Sequence, residues 1–224
     1  MNYNSLCDGY QTIAKKYSNQ IEGEAKKILS RGLIVCNNDK VKNPRLVLSG
    51  INPSYNPDHP EVMPFDFATA AGYYWRIKHK QFGGSDSLLV KDHIAYLDLF
   101  PIRERFQSVF EREFLNYKEF RFKMVSHTAD AIEQLQPQLI VHANKSSLYY
   151  WGLNPSTFEM DKVNPWLGYK FSPIDDKCPI LQSYFKRVSE FLDESGKPIP
   201  NEKRYVHLLR ISGRGFKQPV YFLT

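Results

Sequence analysis

The run Arg45-Leu46-Val47-Leu48-Ser49-Gly50 constrains the fold more than any other stretch of this 224-residue chain. It is short, apolar without alternation and ended by glycine, which suits a strand buried on both faces of a sheet. The segment after it, Ile51-Asn52-Pro53-Ser54-Tyr55-Asn56-Pro57-Asp58-His59-Pro60, carries three prolines. Proline removes backbone donors and restricts the residue before it, so a stiff loop must follow the strand. A strand covered on both sides needs helices to cover it.

Three more apolar runs read as strands: His93 to Phe100, stopped by Pro101; Leu139 to Ala143, entered through Pro137; and Tyr205 to Ile211, ending at Ser212-Gly213. Helical spacing is predicted between and before them. Tyr10, Ile13, Ala14, Tyr17, Ile21, Ile28 and Leu29 predict one amphipathic helix over 8–30, closed by Gly32. Further helices are expected near Phe67 to Trp75, over 103–115 and 118–136, from Ser146 to Trp151, and over 179–194. Asn154 to Cys178 reads as an insert with a small hairpin around Leu167 to Phe171. Strands alternating with helices predict an α/β chain, three-layer α/β/α, around a central, mainly parallel four-stranded sheet. One domain over 1–224 accommodates it.

Composition narrows the setting. The three cysteines, Cys7, Cys36 and Cys178, form no C-x-x-C pair, which argues against a disulfide framework or a cysteine-built zinc site. With no signal-like opening and no apolar run of spanning length, a cytoplasmic, membrane-free monomer is expected. The six histidines show no metal-ligand spacing, so neither metal nor cofactor is expected. A formal net charge of +6 favours polyanionic partners.

In a parallel sheet, ligands gather beyond the carboxyl ends of the strands. Here those ends read Gly50-Ile51-Asn52-Pro53, Asp98-Leu99-Phe100-Pro101, His142-Ala143-Asn144 and Ser212-Gly213-Arg214-Gly215. Glycine or proline beside a polar side chain lets backbone approach a ligand while the side chain is aimed at it.

In this order and context the segments resemble the uracil-DNA glycosylase superfamily. An apolar strand running into Gly50-Ile51-Asn52-Pro53 is similar to the first active-site motif of the mismatch-specific uracil- and thymine-DNA glycosylases. The resemblance implies that Asn52 positions the water that attacks the sugar carbon, beside Ile51. It implies that Phe65, with Phe67 as the near alternative, stacks on a flipped base that Tyr55 helps to wall in. Tyr96 to Pro101 resembles the second segment, in which a polar residue reads the base; Asp98 stands where Asn is usual. Arg210-Ile211-Ser212-Gly213-Arg214 resembles the closing motif. Arg210 would then stabilise charge on the leaving base, and Ser212, Gly213 and Arg214 would contact nucleic acid.

The implied partner is DNA, or another nucleic acid or nucleobase, and the implied reaction is hydrolysis of an N-glycosidic bond. An inactive module of the same fold, binding nucleic acid or a protein partner, is the alternative, and a hydrolase of free nucleosides a third. Each residue also has a plain structural role open to it. Asn52 can end a strand in an Asn-Pro turn, Phe65 and Phe67 can pack in the core, and Asp98 can cap a helix or pair with Arg103 or Arg105.

Overall fold

Leu46, Val47 and Leu48 cannot face water on either side, and the fold buries every residue of strand β1, Leu46–Ser49. In the computed structural model, residues 2–36, 41, 43–58, 93–154, 166–173 and 208–223 are described. The expected helices at 67–75 and 179–194 lie outside them, as do Phe65, Phe67 and Cys178.

Two helices precede β1. Helix α1, Tyr3–Tyr17, is capped by the Asn2 side chain, which accepts from the backbone N–H groups of Asn4 and Ser5. Helix α2 covers Gly23–Ser30. The single helix expected over 8–30 is therefore broken. Ser18 turns its hydroxyl back onto the Lys15 carbonyl, and Gly23, the first residue of α2, takes a positive φ of 60° that no continuous helix would have. Tyr17 before the break and Ile21 within it are both buried, so apolar spacing continued where the helix did not.

Strand β2, Ile94–Tyr96, is followed by α3, Gln107–Phe114, and α4, Lys118–Leu135. The helix predicted from 103 starts four residues later, because 101–106 is occupied in loop contacts described below. Phe110 and Phe114, one turn apart on α3, enter an aromatic core with Phe100, Phe120 and Tyr150. Gln136 ends α4 with a left-handed φ of 46°. Then come β3, Leu139–His142, and a 3-10 helix, Lys145–Trp151, where a short helix was expected.

The remaining strands are β4, Lys170–Pro173, β5, Leu208–Ser212, and β6, Val220–Leu223. Together they make an α/β fold with a six-stranded mixed sheet in the order β2-β1-β3-β6-β5-β4. Strands β2, β1, β3 and β6 run parallel to one another. Strand β5 runs antiparallel to both β6 and β4. Two expectations are corrected here. The fourth predicted strand is the reversed one, and the fourth parallel member is the unforeseen β6. The hairpin expected at 167–171 is instead β4, paired with β5 more than thirty residues later. An apolar run specifies burial but not direction, and direction is set by the connections.

Among the described residues no helix is long and apolar enough to cross a membrane.

Candidate functional site

Strands β1 and β2 stay zipped after they leave the regular sheet. The backbone N–H of Leu97 donates to Leu48 O at 2.9 Å, that of Leu99 to Gly50 O at 3.0 Å, and that of Phe100 to Ile51 O at 2.8 Å. Glu104 N–H then donates to Pro53 O at 3.0 Å. The two strand-end loops therefore form one rigid body, and the motif loop is held by backbone its own sequence does not contain.

Asn52 completes the clamp. Its Nδ2 donates to the Glu104 carbonyl at 2.9 Å and to the Pro53 carbonyl at 3.2 Å. Two carbonyls can face only the N–H side of an amide, so the side chain has one orientation. Both amide hydrogens are committed, and among the described residues no donor reaches Oδ1. What Asn52 offers a visitor is a fixed acceptor.

Asp98 lies across from this loop, two residues beyond the end of β2. Its Oδ1 accepts from the Tyr96 hydroxyl at 2.9 Å, and it takes a further hydrogen bond from the Gly50 backbone. Burial pushes its carboxyl up to about 7, against which these two hydrogen bonds work. Its partners are thus Tyr96 and Gly50, and neither Arg103 nor Arg105. Gly50 makes room for it, since a Cβ there would lie 2.4 Å from Asp98 Oδ1 and 3.2 Å from Tyr96 Oη. Gly50→Ala is expected to displace the carboxyl and to cost about 1–3 kcal/mol, as overpacking does. Urea denaturation measures the cost, and an unchanged midpoint would show that Asp98 moves aside freely.

Other predicted residues are placed differently. Ile51 is 5% exposed and packs into the core, so its side chain does not face a ligand. The Tyr55 ring meets two guanidinium groups, 4.6 Å from that of Arg31 and 5.1 Å from that of Arg103. Arg31 is itself paired with the buried Glu104. Tyr55 therefore braces the loop base.

The closing segment is at the wrong end of the sheet. Because β5 is reversed, Ile211 pairs with Val220 at the start of β6, while β1 and β3 end at Ser49 and His142 in mutual register. Ser212, Gly213 and Arg214 therefore sit beyond the amino ends of the parallel strands, and Asn52 beyond their carboxyl ends. Arg214 is engaged there, with Nε on Glu133 Oε1 at 2.7 Å and a terminal nitrogen on Asp130 Oδ1 at 2.6 Å. Arg210 is within β5, opposite Ser172 and Tyr221, with its guanidinium 5.7 Å from the Tyr221 ring. The expectation that Arg210 and 212–214 close the pocket around Asn52 is corrected by this reversal.

At the end of β3, Asn144 reaches the α3 residue Gln107, whose Nε2 donates to Glu111 at 2.9 Å. His142 is buried and held neutral, lowered to about 3 by burial, with Nε2 2.8 Å from Ser147 Oγ. It packs against Trp151 and Phe222, which also touch each other, and belongs to the core. Sequence reasoning did not find Glu104 or Gln107. Glu104 holds Asn52 through its backbone, which carries no residue-specific signal.

Among the described residues no group of His, Cys, Asp and Glu is arranged to hold a metal ion. No family model, curated protein or solved structure matches this chain.

Proposed function

We propose that the carboxyl ends of β1 and β2 receive a nucleobase of a nucleic acid and hydrolyse its N-glycosidic bond, as the resemblance to the uracil-DNA glycosylases implies. The observation that carries this reading is the pair on adjacent loops: Asn52, fixed as an acceptor, and Asp98, protonated up to about pH 7. A protonated carboxyl offers one donor beside one acceptor, the pattern that an amide offers. It meets a base carbonyl with its O–H and a ring N–H with its carbonyl, as Asn would.

Asn52 Oδ1 accepts from a water and orients it toward the sugar carbon. An amide does not take up a proton near neutral pH, so the bond to the base must loosen first and the route is dissociative. Charge then develops on the departing base, where the Asp98 O–H stabilises it. The water oxygen bonds to the sugar carbon as the carbon–nitrogen bond breaks, and the water's proton passes to solvent. The base takes the Asp98 proton, which solvent restores.

Oligonucleotides carrying uracil, hypoxanthine, mismatched thymine or alkylated bases, followed by cleavage at abasic sites, provide the test. Product is expected with at least one lesion and is expected to vanish in Asn52→Ala. The rate should fall as pH rises through about 7, where Asp98 loses its proton, and Asp98→Asn should remove that fall. No product with any lesion sinks the hydrolytic reading.

A second reading, a module that binds nucleic acid without cleaving it, is favoured by one observation. Arg210, the cation expected to stabilise the departing base, and Arg214, expected to contact nucleic acid, lie away from Asn52. Salt-dependent binding without product would favour it.

A further inference from the structure

Phe106 is 56% exposed, although it belongs to the loop that secures Asn52. A large aromatic ring in water is ordinary when it stands on a floppy surface, and this one does not. Its own N–H donates to Glu104 Oε1 at 3.1 Å, and the backbone of Glu104 is tied to Pro53 and Asn52. Upstream, Leu33 bridges to Ile102, and Ile34 N–H donates to Pro101 O at 2.8 Å. Downstream, α3 is anchored by the fully buried Phe110 and Phe114. The ring is presented on a frame that loses little further freedom when something stacks on it.

The neighbouring charges point to what that is. The Arg105 guanidinium lies 5.2 Å from the Phe106 ring centre, is exposed, and makes no ion pair among the described residues. Nearby carboxylates are occupied. Glu104 is held by Arg31 and the Phe106 N–H, and Glu111 by Gln107. Among the described residues a cation and an aromatic face are what this surface offers, one and two residues from the Glu104 carbonyl that orients Asn52. The chain as a whole is cationic, at +6. A rigid aromatic face with an adjoining guanidinium suits an unpaired base and its phosphate.

We infer that Phe106 and Arg105 form a stacking platform for an unpaired base flanking the one held at Asn52 and Asp98, so that the site takes single-stranded nucleic acid in preference to duplex. This rests on the nucleobase reading of that site and adds strandedness to it. In a duplex the flanking base is already stacked on its neighbours, and the Phe106 face has nothing to receive.

The test is fluorescence anisotropy with a labelled oligothymidine of about 15 nucleotides, a length within the usual span of single-strand sites, and with the same strand annealed to oligoadenine. The single strand is expected to bind more tightly than the duplex. Phe106→Ala should weaken single-strand binding by about tenfold or more, the usual worth of one stacked base, while Phe106→Trp should retain it. Leu115→Ala, which removes an equally exposed apolar side chain at the far end of α3, should change nothing. Arg105→Gln should lower the salt dependence by about one phosphate contact.

Equal binding by wild type and Phe106→Ala, with base release intact, overturns the platform and leaves the proposed function standing. Tighter binding of duplex overturns the strandedness claim. Absence of binding to either form at low salt, together with absence of base release, overturns both and turns the exposed ring over to a protein partner.

Discussion

Asp98→Asn is expected to be more stable than the parent protein at pH 8, by up to about 4 kcal/mol, and indistinguishable from it at pH 3. The carboxyl titrates near 3.8 in an unfolded chain and near 7 in the folded one, and each unit is worth about 1.36 kcal/mol. Below the unfolded value both states hold the proton and folding costs nothing. As pH rises from about 4 to 7 the unfolded chain gains free energy by ionising while the fold resists, so stability drains away across that window. Above 7 the full cost is present. An amide does not titrate, and it can keep both hydrogen-bonding positions beside Tyr96 and Gly50. Urea midpoints measured across the range would show the gap opening with pH, and a constant gap would mean that Asp98 ionises freely in the fold.

The second large effect lies at the opposite end of the sheet. Glu133, 8% exposed, accepts from Arg214 Nε at 2.7 Å, from the Tyr169 hydroxyl at 2.5 Å and from the Gly215 N–H at 3.0 Å. Burial and that carboxylate push the Tyr169 hydroxyl up, so it remains a donor. Gly215 has no room for a side chain, since a Cβ would fall 2.4 Å from Glu133 Oε2. Glu133→Ala strands three donors at once and is expected to cost about 3–5 kcal/mol, the range for removing one partner of a buried ion pair. Glu133→Gln should cost less. Denaturation gives the loss, and hydrogen exchange at Gly215 should rise in step. The base release proposed for the Asn52 site should be unaffected per folded molecule, because Arg214 lies at the other end of the sheet.

Much of the sheet was readable because β1, β2 and β3 are apolar runs punctuated by glycine or proline. Their pairing side by side set the loop after β1 against the loop after β2, with Gly50 beside Asp98 and Asn52 beside Glu104. What could not be read has physical causes. Strand β6 is four residues long and follows Gln218-Pro219, too short a run to show a period. The reversal of β5 is a property of its connections. Arg214 finds Glu133 across 81 residues of sequence, and no local pattern marks either partner. The helix break at 18–22 was hidden because Tyr17 and Ile21 go on facing the core through it.

The clamp on Asn52 has one more consequence. A free amide is ambidextrous: it greets a donor with one atom and an acceptor with the other. With both hydrogens spent on Glu104 and Pro53, this one behaves toward any visitor as a ketone would. Guests that bring only lone pairs meet repulsion, and guests that bring a hydrogen are welcomed at a fixed angle. The loop has thereby made a two-valued residue single-valued, a choice enforced by a carbonyl 52 positions away.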